Sequence, residues 1–541
     1  MAVHFAPEYP AGYDELAAGL KMTILDWLVG SLDKLKMNWR LICCLILAIG
    51  LWLLTTVVFW KGYVGSDDLF YARYAFLFHR EPINWWECRL PAILAMRTAF
   101  FILGPTEIAA ALPALLASLL GVGAIAWYAG WPRDLNRQTN STVLLAITVP
   151  MDVVFRTIPL ASSIASGLLV CGSVLILKAK PRVSAVGCAL FATAFLTHEV
   201  SSFYIAIFCT TAVLIDGRRY LRPFILSAMF SAAVVAAQCA YYAVRFGDPF
   251  LRSKLAIGES AGHPALVDPD THMSGMSFLL WPIQNLGFSR VFACGLLLTF
   301  ACGAMVWRRL SKQERILLVS GFLTWFYLGY GSKVPWTYQP LARQYHFYGP
   351  LTLAISVLLP VCLGYLFERL ARPKRYTLAA VGGVVALNLA FCAGGGRWGQ
   401  DVKVSESLLH YASSHPAATF LTDVPTMNQM YVLNGFRLPP NVVCRNGPSV
   451  DNDLLVNKEP LNVPRFKFPE GKIDGILLNL DHTADGFRGD QEFIDYLEAH
   501  QKEPERIVPV RYRLLLLPVR RFVAGKSFAI RSDGGAIIRL Y

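Results

Sequence analysis

The sequence predicts a polytopic α-helical membrane protein with a small C-terminal α/β domain. Of its 541 residues, 55% are hydrophobic and only 16% are charged, which is more apolar surface than one soluble core can bury. Apolar runs with few charges, close to the roughly 20 residues that cross a bilayer as a helix, recur as far as residue 393. The residues after 393 have the mixed composition of a soluble domain.

The apolar runs predict about eleven transmembrane helices. The first run contains no charge, whereas the boundaries between the third and fourth and between the fifth and sixth are soft. In chain order the runs are 41–60, 106–130, 141–157, 160–177, 183–197, 200–216, 223–244, 288–307, 316–332, 348–367 and 376–393.

Lys and Arg are concentrated in alternate connections between these runs. Because short basic loops stay in the cytoplasm, segment 1–40 is predicted inside, and both the loop 61–105 and the segment 394–541 outside. Apolar residues in 1–40 recur every three or four positions, so this segment is an amphipathic helix that lies on the membrane or packs on the bundle. The net charge of +13 partly reflects the same bias, so it does not indicate nucleic-acid binding.

Residues 394–541 are long enough to form an independent core. The apolar runs 476–478 and 514–517 alternate with a helical pattern at 489–500, which predicts a small α/β domain. Its role is open: it covers the site, binds acceptor, or only stabilises the bundle. Most of the 12 cysteines fall inside the apolar runs, but Cys88 and Cys444 lie outside them and could pair in an oxidising compartment.

The first outer loop, 61–105, concentrates charged and aromatic residues beside the membrane. Asp67 and Asp68 are adjacent there, where ionised groups are costly unless they serve a purpose. Arginines and tryptophans accompany them, which suits a site for an anionic, partly apolar molecule and a sugar ring. The alternative is an ordinary interfacial loop with Trp anchors and salt bridges.

Three short motifs begin in this loop. The matching positions are Asp67, Asp68 and Tyr71 for Asp-Glu-x-x-Tyr, then Arg89 and Pro91 for a Lys-Pro-Pro-Leu-like element, then Gly104, Glu107, Leu112 and Pro113 for Phe-Gly-x-x-Glu-x-x-x-Arg-Leu-Pro. This series resembles the opening of the GT-C glycosyltransferases, in the branch of the bacterial aminoarabinose transferases and protein O-mannosyltransferases. Asp68 and Arg89 keep the charge of the residues they replace, whereas Ala111 stands where an Arg is common.

Two later segments carry the same resemblance. Residues 342–350 are similar to an Arg-Tyr-x-x-Pro element and contain Arg343 and Tyr345. His198 and Glu199 are similar to a polar pair at an outer turn of some relatives, and the alternative is a capped or salt-bridged turn. They are not a zinc motif, because Ser202 stands where H-E-x-x-H requires its second His.

The resemblance implies transfer of a sugar from a polyprenyl-phosphate donor to an acceptor, with inversion at the anomeric carbon. One carboxylate serves as base and the other orients the acceptor; Asp67 is the candidate base, or the roles of Asp67 and Asp68 are swapped. Arg89 and Arg343 are the first candidates for the donor phosphate, followed by Lys61, Arg73, Arg97 and Lys333. Further substrate-binding candidates are Tyr71, Trp86, His198, Glu199 and Tyr345. No cofactor is required, although a divalent ion between the two carboxylates stays open.

The resemblance places the protein in a bacterial inner membrane, with the donor, the acceptor and membrane lipids as partners. The acceptor is lipid A or lipopolysaccharide, another envelope glycan, or a protein. A lipid-carrier flippase is the main alternative, and its site should lie near the midplane in interrupted helices. A non-catalytic scaffold is the third reading. Asp152 and Arg156, one turn apart inside an apolar run, are either a structural pair or part of a cavity.

Overall fold

The computed structural model describes residues 39–65, 67–79, 81–82, 84–178, 180–255, 275–283, 291–332, 344–373, 375–394, 400–422, 424–437, 439–444, 473–479, 505–507 and 535–539. Segment 1–38, Arg343, Lys333 and the predicted helix 489–500 lie outside the described residues. The chain divides into two compact units, 1–51 and 52–541. Every contact given below lies within the second unit.

The described chain is mainly α-helical. Its first half contains α1 (Trp39–Val58), α2 (Asp67–Phe76), α3 (Leu90–Leu103), α4 (Glu107–Tyr128), α5 (Arg137–Thr148), α6 (Pro150–Phe155), α7 (Ala161–Leu177), α8 (Pro181–Thr197) and α9 (Ser201–Phe246). Its second half contains α10 (Met276–Pro282), α11 (Gly295–Met305), α12 (Lys312–Tyr330), α13 (Leu351–Arg369), α14 (Arg375–Gly394), α15 (Gln400–Ser414) and α16 (Val424–Leu433). Short 3-10 helices lie at Trp86–Cys88, Trp307–Arg309 and Tyr345–Tyr348.

Several of these helices suit a membrane, so the chain is a multi-pass membrane protein. Among the described residues, 4 helices are long and apolar enough to cross a bilayer: Glu107–Tyr128, Arg219–Phe246, Leu351–Arg369 and Arg375–Ala393. Shorter apolar helices include Ala161–Leu177 and Gly295–Met305. The count of eleven spans, the orientation and the division into three segments stay predictions.

The predicted run 141–157 is not one helix. It is divided into α5 and α6 at Val149, whose ψ of 122° is extended rather than helical. Pro150 explains the break, because proline lacks an N–H and disfavours the helical conformation of the residue before it. The runs 200–216 and 223–244 correspond to two helical segments of α9, which are separated by a kink with non-helical backbone at Asp216 and Gly217.

Small residues let the helices of the bundle approach closely. A Cβ atom added at Gly167 of α7 would lie 2.2 Å from the carbonyl oxygen of Ala117 in α4. A Cβ atom added at Gly172 of α7 would lie 2.9 Å from the carbonyl oxygen of Gly187 in α8. Contacts between small residues are the usual basis of helix association where lipid removes the hydrophobic driving force.

The C-terminal region contains a five-stranded sheet. Its strands are β1 (Phe420–Thr422), β2 (Val442–Cys444), β3 (Gly475–Asn479), β4 (Glu505–Ile507) and β5 (Gly535–Arg539), in the order β2-β1-β3-β5-β4. β1 pairs in parallel with β2 and β3, whereas β5 is antiparallel to β3 and β4. Leu408, Phe420, Met430 and Leu477 form its core with α15 and α16. The predicted strand at 476–478 is β3, and the run 514–517 lies outside the described residues.

The suggested pairing of Cys88 with Cys444 does not form. Cys88 is a buried free thiol, and its Sγ lies 3.8 Å from the backbone oxygen of Asn84. Buried among Tyr242 and Leu251, it packs as a small hydrophobic residue.

Phe436, just after α16, packs onto the helix that carries the acidic pair. Its ring stacks on Phe76 at the end of α2, with 4.5 Å between ring centroids, and meets Phe100 of α3 edge to face at 5.7 Å. Phe436 is buried in the same core cluster as Tyr71 and Tyr74. Its φ of 61° is unusual for a residue with a side chain, so this packing must offset backbone strain.

Phe436→Ala is expected to lower the free energy of unfolding by about 3–5 kcal/mol, because it removes a buried ring and leaves a cavity. Thermal unfolding in lipid nanodiscs measures the change. The matched control is Phe101→Ala on α3, whose side chain is 69% exposed, and this variant should unfold near the wild-type temperature. Equal effects of the two substitutions would contradict the packing role of Phe436.

Candidate functional site

Side chains of a distant helix hold the backbone immediately before Arg89. Cys88, at the end of the Trp86–Cys88 turn, accepts hydrogen bonds through its carbonyl oxygen from Gln238 Nε2 at 3.0 Å and Tyr242 Oη at 3.2 Å. Arg89 follows directly and forms the N-cap of α3, which has Pro91 in its first turn. Proline is favoured there because it needs no hydrogen-bond partner and its φ is already helical. The loop is therefore fixed on both sides of Arg89.

The Arg89 guanidinium is buried, with 2% exposure, and its partners are charged or aromatic. Its Nε donates to Glu199 Oε2 at 3.3 Å, and its terminal nitrogens donate to Glu199 Oε1 and to Tyr71 Oη. The Trp85 ring lies 4.4 Å from the guanidinium carbon, within range of a cation–π contact. The two contacts to Glu199 form a bidentate pair, which fixes the plane of the guanidinium.

A second arginine shares Glu199. Arg252 donates to Glu199 Oε2 at 2.7 Å and to Gln238 Oε1 at 3.2 Å. Burial alone would raise the pKa of Glu199, but Arg89, His198 and Arg252 outweigh it and hold that pKa below its ordinary range. Glu199 therefore stays ionised and holds two guanidinium groups side by side.

Sequence reasoning missed Arg252. It lies beyond α9, on the side predicted to be outside the membrane. An arginine on that side opposes the usual inside bias of Lys and Arg, and this was the signal that could have identified it.

The structure separates the two adjacent carboxylates at the start of α2. Asp67 is half-buried, and burial raises the pKa of its carboxyl. Arg89 lowers this pKa, whereas Glu199 raises it further. Asp68 is fully buried and accepts a hydrogen bond from the Val64 backbone nitrogen at 2.6 Å. Asp67 therefore interacts electrostatically with Arg89, whereas Asp68 is hydrogen-bonded to the preceding loop.

Tyr71 lies one turn after Asp67 and joins α2 to the cluster. It is 1% exposed, and burial raises the pKa of its phenol, a change that Arg89 opposes. The phenol is therefore a neutral hydrogen-bond acceptor for Arg89 at physiological pH.

Two histidines, the buried His198 and the half-buried His346, lie near Arg89. The rings of His198 and His346 are perpendicular, with 6.2 Å between their centroids. Burial lowers both pKa values, reinforced by Arg89, and the pKa of His346 falls to about 3. Both rings line the same small cavity and are uncharged at neutral pH. His346 belongs to the segment 342–350, but sequence reasoning did not select it.

The other residues predicted for the site make the following contacts. Trp86 stacks on Phe70 with centroids 5.6 Å apart, and Tyr345 stacks on Trp281 at 5.7 Å. Arg97 donates to the carbonyl oxygen of Ala75 at 3.1 Å, at the end of α2. Their assigned roles stay predictions. Arg73 is buried in α2, and the Lys61 backbone nitrogen donates to Thr157 Oγ1 at 3.0 Å. The roles predicted for Arg73, Lys61 and Arg343, the last outside the described residues, also stay predictions.

Glu107, from the third motif, serves a different contact. It accepts from Trp60 Nε1 at 2.7 Å and pairs with Lys403 of α15 at 3.5 Å. A Cβ atom on Gly62 would overlap its carboxylate, so this glycine leaves room for it. The third motif thus connects the first loop to the C-terminal region.

The cluster combines groups that suit anion binding and proton transfer. Two guanidiniums lie against one ionised carboxylate, and a second carboxylate with a raised pKa stands beside them. Across the described residues, no group of three or more His, Cys, Asp or Glu has the arrangement of a metal site. The prediction that no metal is required stays untested.

Comparison with known proteins identifies the fold. No protein-family model matches the chain, and no curated protein matches it in sequence. Two solved structures of ArnT, an aminoarabinose transferase from Cupriavidus metallidurans, are similar to it: one bound to undecaprenyl phosphate and one in the apo state. The bound form has a TM-score of 0.53 at 13% identity, covering 86% of this chain and 96% of ArnT. The apo form has a TM-score of 0.52 at 12% identity, covering 86% and 95%.

A third similar structure is the archaeal oligosaccharyltransferase AglB from Archaeoglobus fulgidus. Its TM-score is 0.43 at 11% identity, over 74% of this chain and 64% of AglB, which is too low to bear on the fold. The likeness to ArnT extends over most of both chains, so it concerns the architecture as a whole. The chain therefore has the same fold as ArnT.

Proposed function

We propose that this protein is a membrane glycosyltransferase that moves a sugar from a polyprenyl-phosphate donor to a cell-envelope acceptor. The observation that carries the proposal is the cluster in which Glu199 pairs with both Arg89 and Arg252, and in which Arg89 interacts with Asp67. The fold supports it, because ArnT, which shares this fold, is described in complex with undecaprenyl phosphate. The reaction takes place on the outer face of a bacterial inner membrane, where the positive-inside bias puts the cluster.

The proposed chemistry is a single displacement. The Asp67 carboxylate removes the proton of the acceptor hydroxyl as its oxygen attacks the anomeric carbon. The bond between that carbon and the phosphate oxygen breaks, and its electron pair leaves with the polyprenyl phosphate. The phosphate thereby gains one negative charge, which Arg89 and Arg252 stabilise. One displacement inverts the configuration of the anomeric carbon.

The same geometry favours Asp67 over Asp68 as the base. A half-buried carboxylate with a raised pKa is closer to the basicity that general-base catalysis needs at neutral pH. Asp68 is engaged by the backbone of the loop, so its proposed role is to hold the start of α2. Arg343, Tyr345 and Trp86 remain candidate contacts for donor and acceptor.

Comparison of envelope lipids and glycans from cells with and without the protein tests the proposal. Mass spectrometry should reveal one glycan or lipid that lacks a single sugar when the protein is absent. An unchanged set of lipid A, core and other envelope glycans would overturn the proposed function. Addition of EDTA to the purified enzyme separately tests the expected independence from divalent metal.

A lipid-carrier flippase remains a second candidate, since the ionisable residues Asp152 and Arg156 lie in a broken helix within an apolar run. A flippase would move a polyprenyl-phosphate sugar across proteoliposomes without forming a new glycosidic bond. Transfer of the sugar to an acceptor, abolished by Asp67→Asn, would exclude that reading.

The pH dependence of transfer should show the raised pKa of Asp67. Below this pKa the carboxylate is protonated and the base is lost, so kcat/KM should fall on acidification at a pH above the ordinary Asp value of about 4. The pKa of His346, about 3, lies below the pH at which that fall is expected. A pH profile of kcat/KM in nanodiscs, with folding checked at each pH, measures it. An activity that persists unchanged down to pH 4 would contradict the assignment.

A further inference from the structure

The side chain of Gln238 lies between the two arginines that pair with Glu199. Gln238 belongs to α9, and its Nε2 donates to the carbonyl oxygen of Cys88, the residue before Arg89, at 3.0 Å. Its Oε1 accepts from Nη1 of Arg252 at 3.2 Å. One amide therefore contacts both the backbone that leads to Arg89 and the guanidinium of Arg252.

These two contacts together require an amide. The Cys88 carbonyl oxygen can only accept a hydrogen bond, and the Arg252 guanidinium can only donate one. A side chain that serves both needs a donor and an acceptor at its end, which an ionised carboxylate or an apolar group does not provide. The same requirement fixes the orientation of the amide, because the reverse orientation would oppose two acceptors and two donors.

The position of Gln238 on α9 supports a specific role. The segment Arg219–Phe246 is apolar and long enough to cross a bilayer, and little of it is buried inside the protein. Gln238 is an exception with 8% exposure, and Tyr242, one turn further on, is 1% exposed. Both side chains donate to the Cys88 carbonyl oxygen from the same face of the helix. In an apolar helix, a polar side chain of this kind hydrogen-bonds across to its neighbours.

The two arginines differ in how firmly they are held. Arg89 pairs with Glu199 through two nitrogens, and its side chain is 3% exposed. Arg252 makes one contact with Glu199 at 2.7 Å, and its other contacts are Gln238 and the carbonyl oxygen of Leu196 at 3.5 Å. Its side chain is 19% exposed. The direction of the Arg252 guanidinium therefore depends strongly on Gln238.

We infer that Gln238 is a positioning residue for both arginines. Together with Tyr242 it holds the backbone before Arg89, and at the same time it orients Arg252, so that the two cations act on one phosphate. The inference rests on the proposed function for the identity of this anion. Gln238 acts through the arginines and needs no contact with the substrate. Its loss should therefore weaken phosphate binding without weakening the binding of the polyprenyl chain.

The test measures the affinity of the protein in lipid nanodiscs for farnesyl phosphate and for farnesol, which lacks the phosphate. Gln238→Met replaces the amide with an apolar chain of similar length. Tyr242 still holds the Cys88 carbonyl and Glu199 still pairs with Arg252, so the fold should persist. The affinity for farnesyl phosphate should fall about tenfold, as expected when a charged group loses a hydrogen bond. The affinity for farnesol should not change.

A second background separates positioning from a general loss of structure. In the Arg252→Met background, Gln238 can act only through the Cys88 carbonyl, which Tyr242 also holds. Adding Gln238→Met should then lower the affinity for farnesyl phosphate by less than about threefold, because the effects of coupled residues are not additive. An equal loss in both backgrounds would overturn the inference. So would an unchanged affinity of the Gln238→Met variant, or a loss of farnesol binding as large as that of farnesyl phosphate.

Failure of the proposed function gives a different result. The wild type would then bind farnesyl phosphate no better than farnesol, and the inference would fall with the proposed function. Failure of the inference alone would leave the preference of the wild type for the phosphate intact.

A milder pair of variants guards against loss of folding. Tyr242→Phe removes only the hydroxyl that donates to the Cys88 carbonyl, so the affinity for farnesyl phosphate should fall a few-fold. The matched control is Tyr241→Phe, because this neighbouring hydroxyl has no hydrogen-bond partner among the described residues. Its affinity should equal that of the wild type. Equal affinities of the two variants would overturn the inference even if Gln238→Met failed to fold.

Discussion

Asp67→Asn is expected to reduce sugar transfer by about 10²- to 10⁴-fold, the usual contribution of a positioned general base. Asparagine has nearly the same shape as aspartate but cannot accept the acceptor proton at any working pH. Asp67 is half-buried and is not fully enclosed like Asp68, so the substitution should leave the protein folded. Initial rates with a polyprenyl-phosphate sugar and a membrane acceptor measure the loss.

Asp68 provides the matched control. Asp68→Ala removes the acceptor of the Val64 N–H and leaves that buried donor without its partner, which should lower the free energy of unfolding by about 1–3 kcal/mol. The expected outcomes are therefore opposite: activity lost with stability kept at Asp67, and stability lost at Asp68. Full activity of the Asp67→Asn variant would exclude Asp67 as the base, and Asp68 would then be the remaining candidate.

Arg89→Lys should lower transfer by about 10²- to 10³-fold and also weaken the binding of farnesyl phosphate. Lysine keeps the positive charge but cannot form the bidentate contact with Glu199 and the contact with Tyr71 at once. Arg252 still pairs with Glu199 in this variant, so the buried carboxylate is not left alone and the fold should survive. Titration with farnesyl phosphate and initial-rate kinetics measure the two effects separately.

The control for this substitution is Arg309→Lys. Arg309 pairs with Glu368 at 3.0 Å in an exposed position, where an ion pair contributes little. Both the affinity for farnesyl phosphate and the transfer rate should match the wild type. Undiminished binding of farnesyl phosphate to Arg89→Lys would show that the phosphate is held elsewhere, with Arg343 as the first remaining candidate.

Part of the site could be predicted because its residues are close in sequence. Asp67 and Tyr71 lie one helical turn apart in α2, and Arg89 follows in the same loop. Local spacing of this kind survives as a motif, so a resemblance to GT-C enzymes identified all three. The pairing of Arg89 with Glu199 was harder, because the partners are 110 positions apart, although both had been selected as candidates.

Other parts required the tertiary structure. Arg252 reaches Glu199 from 53 positions away, and no local pattern relates the two. His346 meets His198 only because two loops converge, which no periodicity predicts. The Asp152–Arg156 spacing was visible in the sequence. The cavity beside this pair was not, nor was the lack of a hydrogen-bond partner for Arg156 Nε among the described residues.

The sequence by itself determined that this is a helical membrane protein with a charged first loop and a C-terminal segment of mixed composition. Apolar runs, the bias of Lys and Arg and short motifs are local properties, and local properties can be read along a chain. Only the tertiary structure showed that Asp67 interacts with Arg89 and that Asp68 accepts a hydrogen bond from the Val64 backbone. These contacts form because the loop before α2 folds back onto the start of that helix. Contacts from α9 hold the backbone before Arg89, and both Arg89 and Arg252 pair with Glu199.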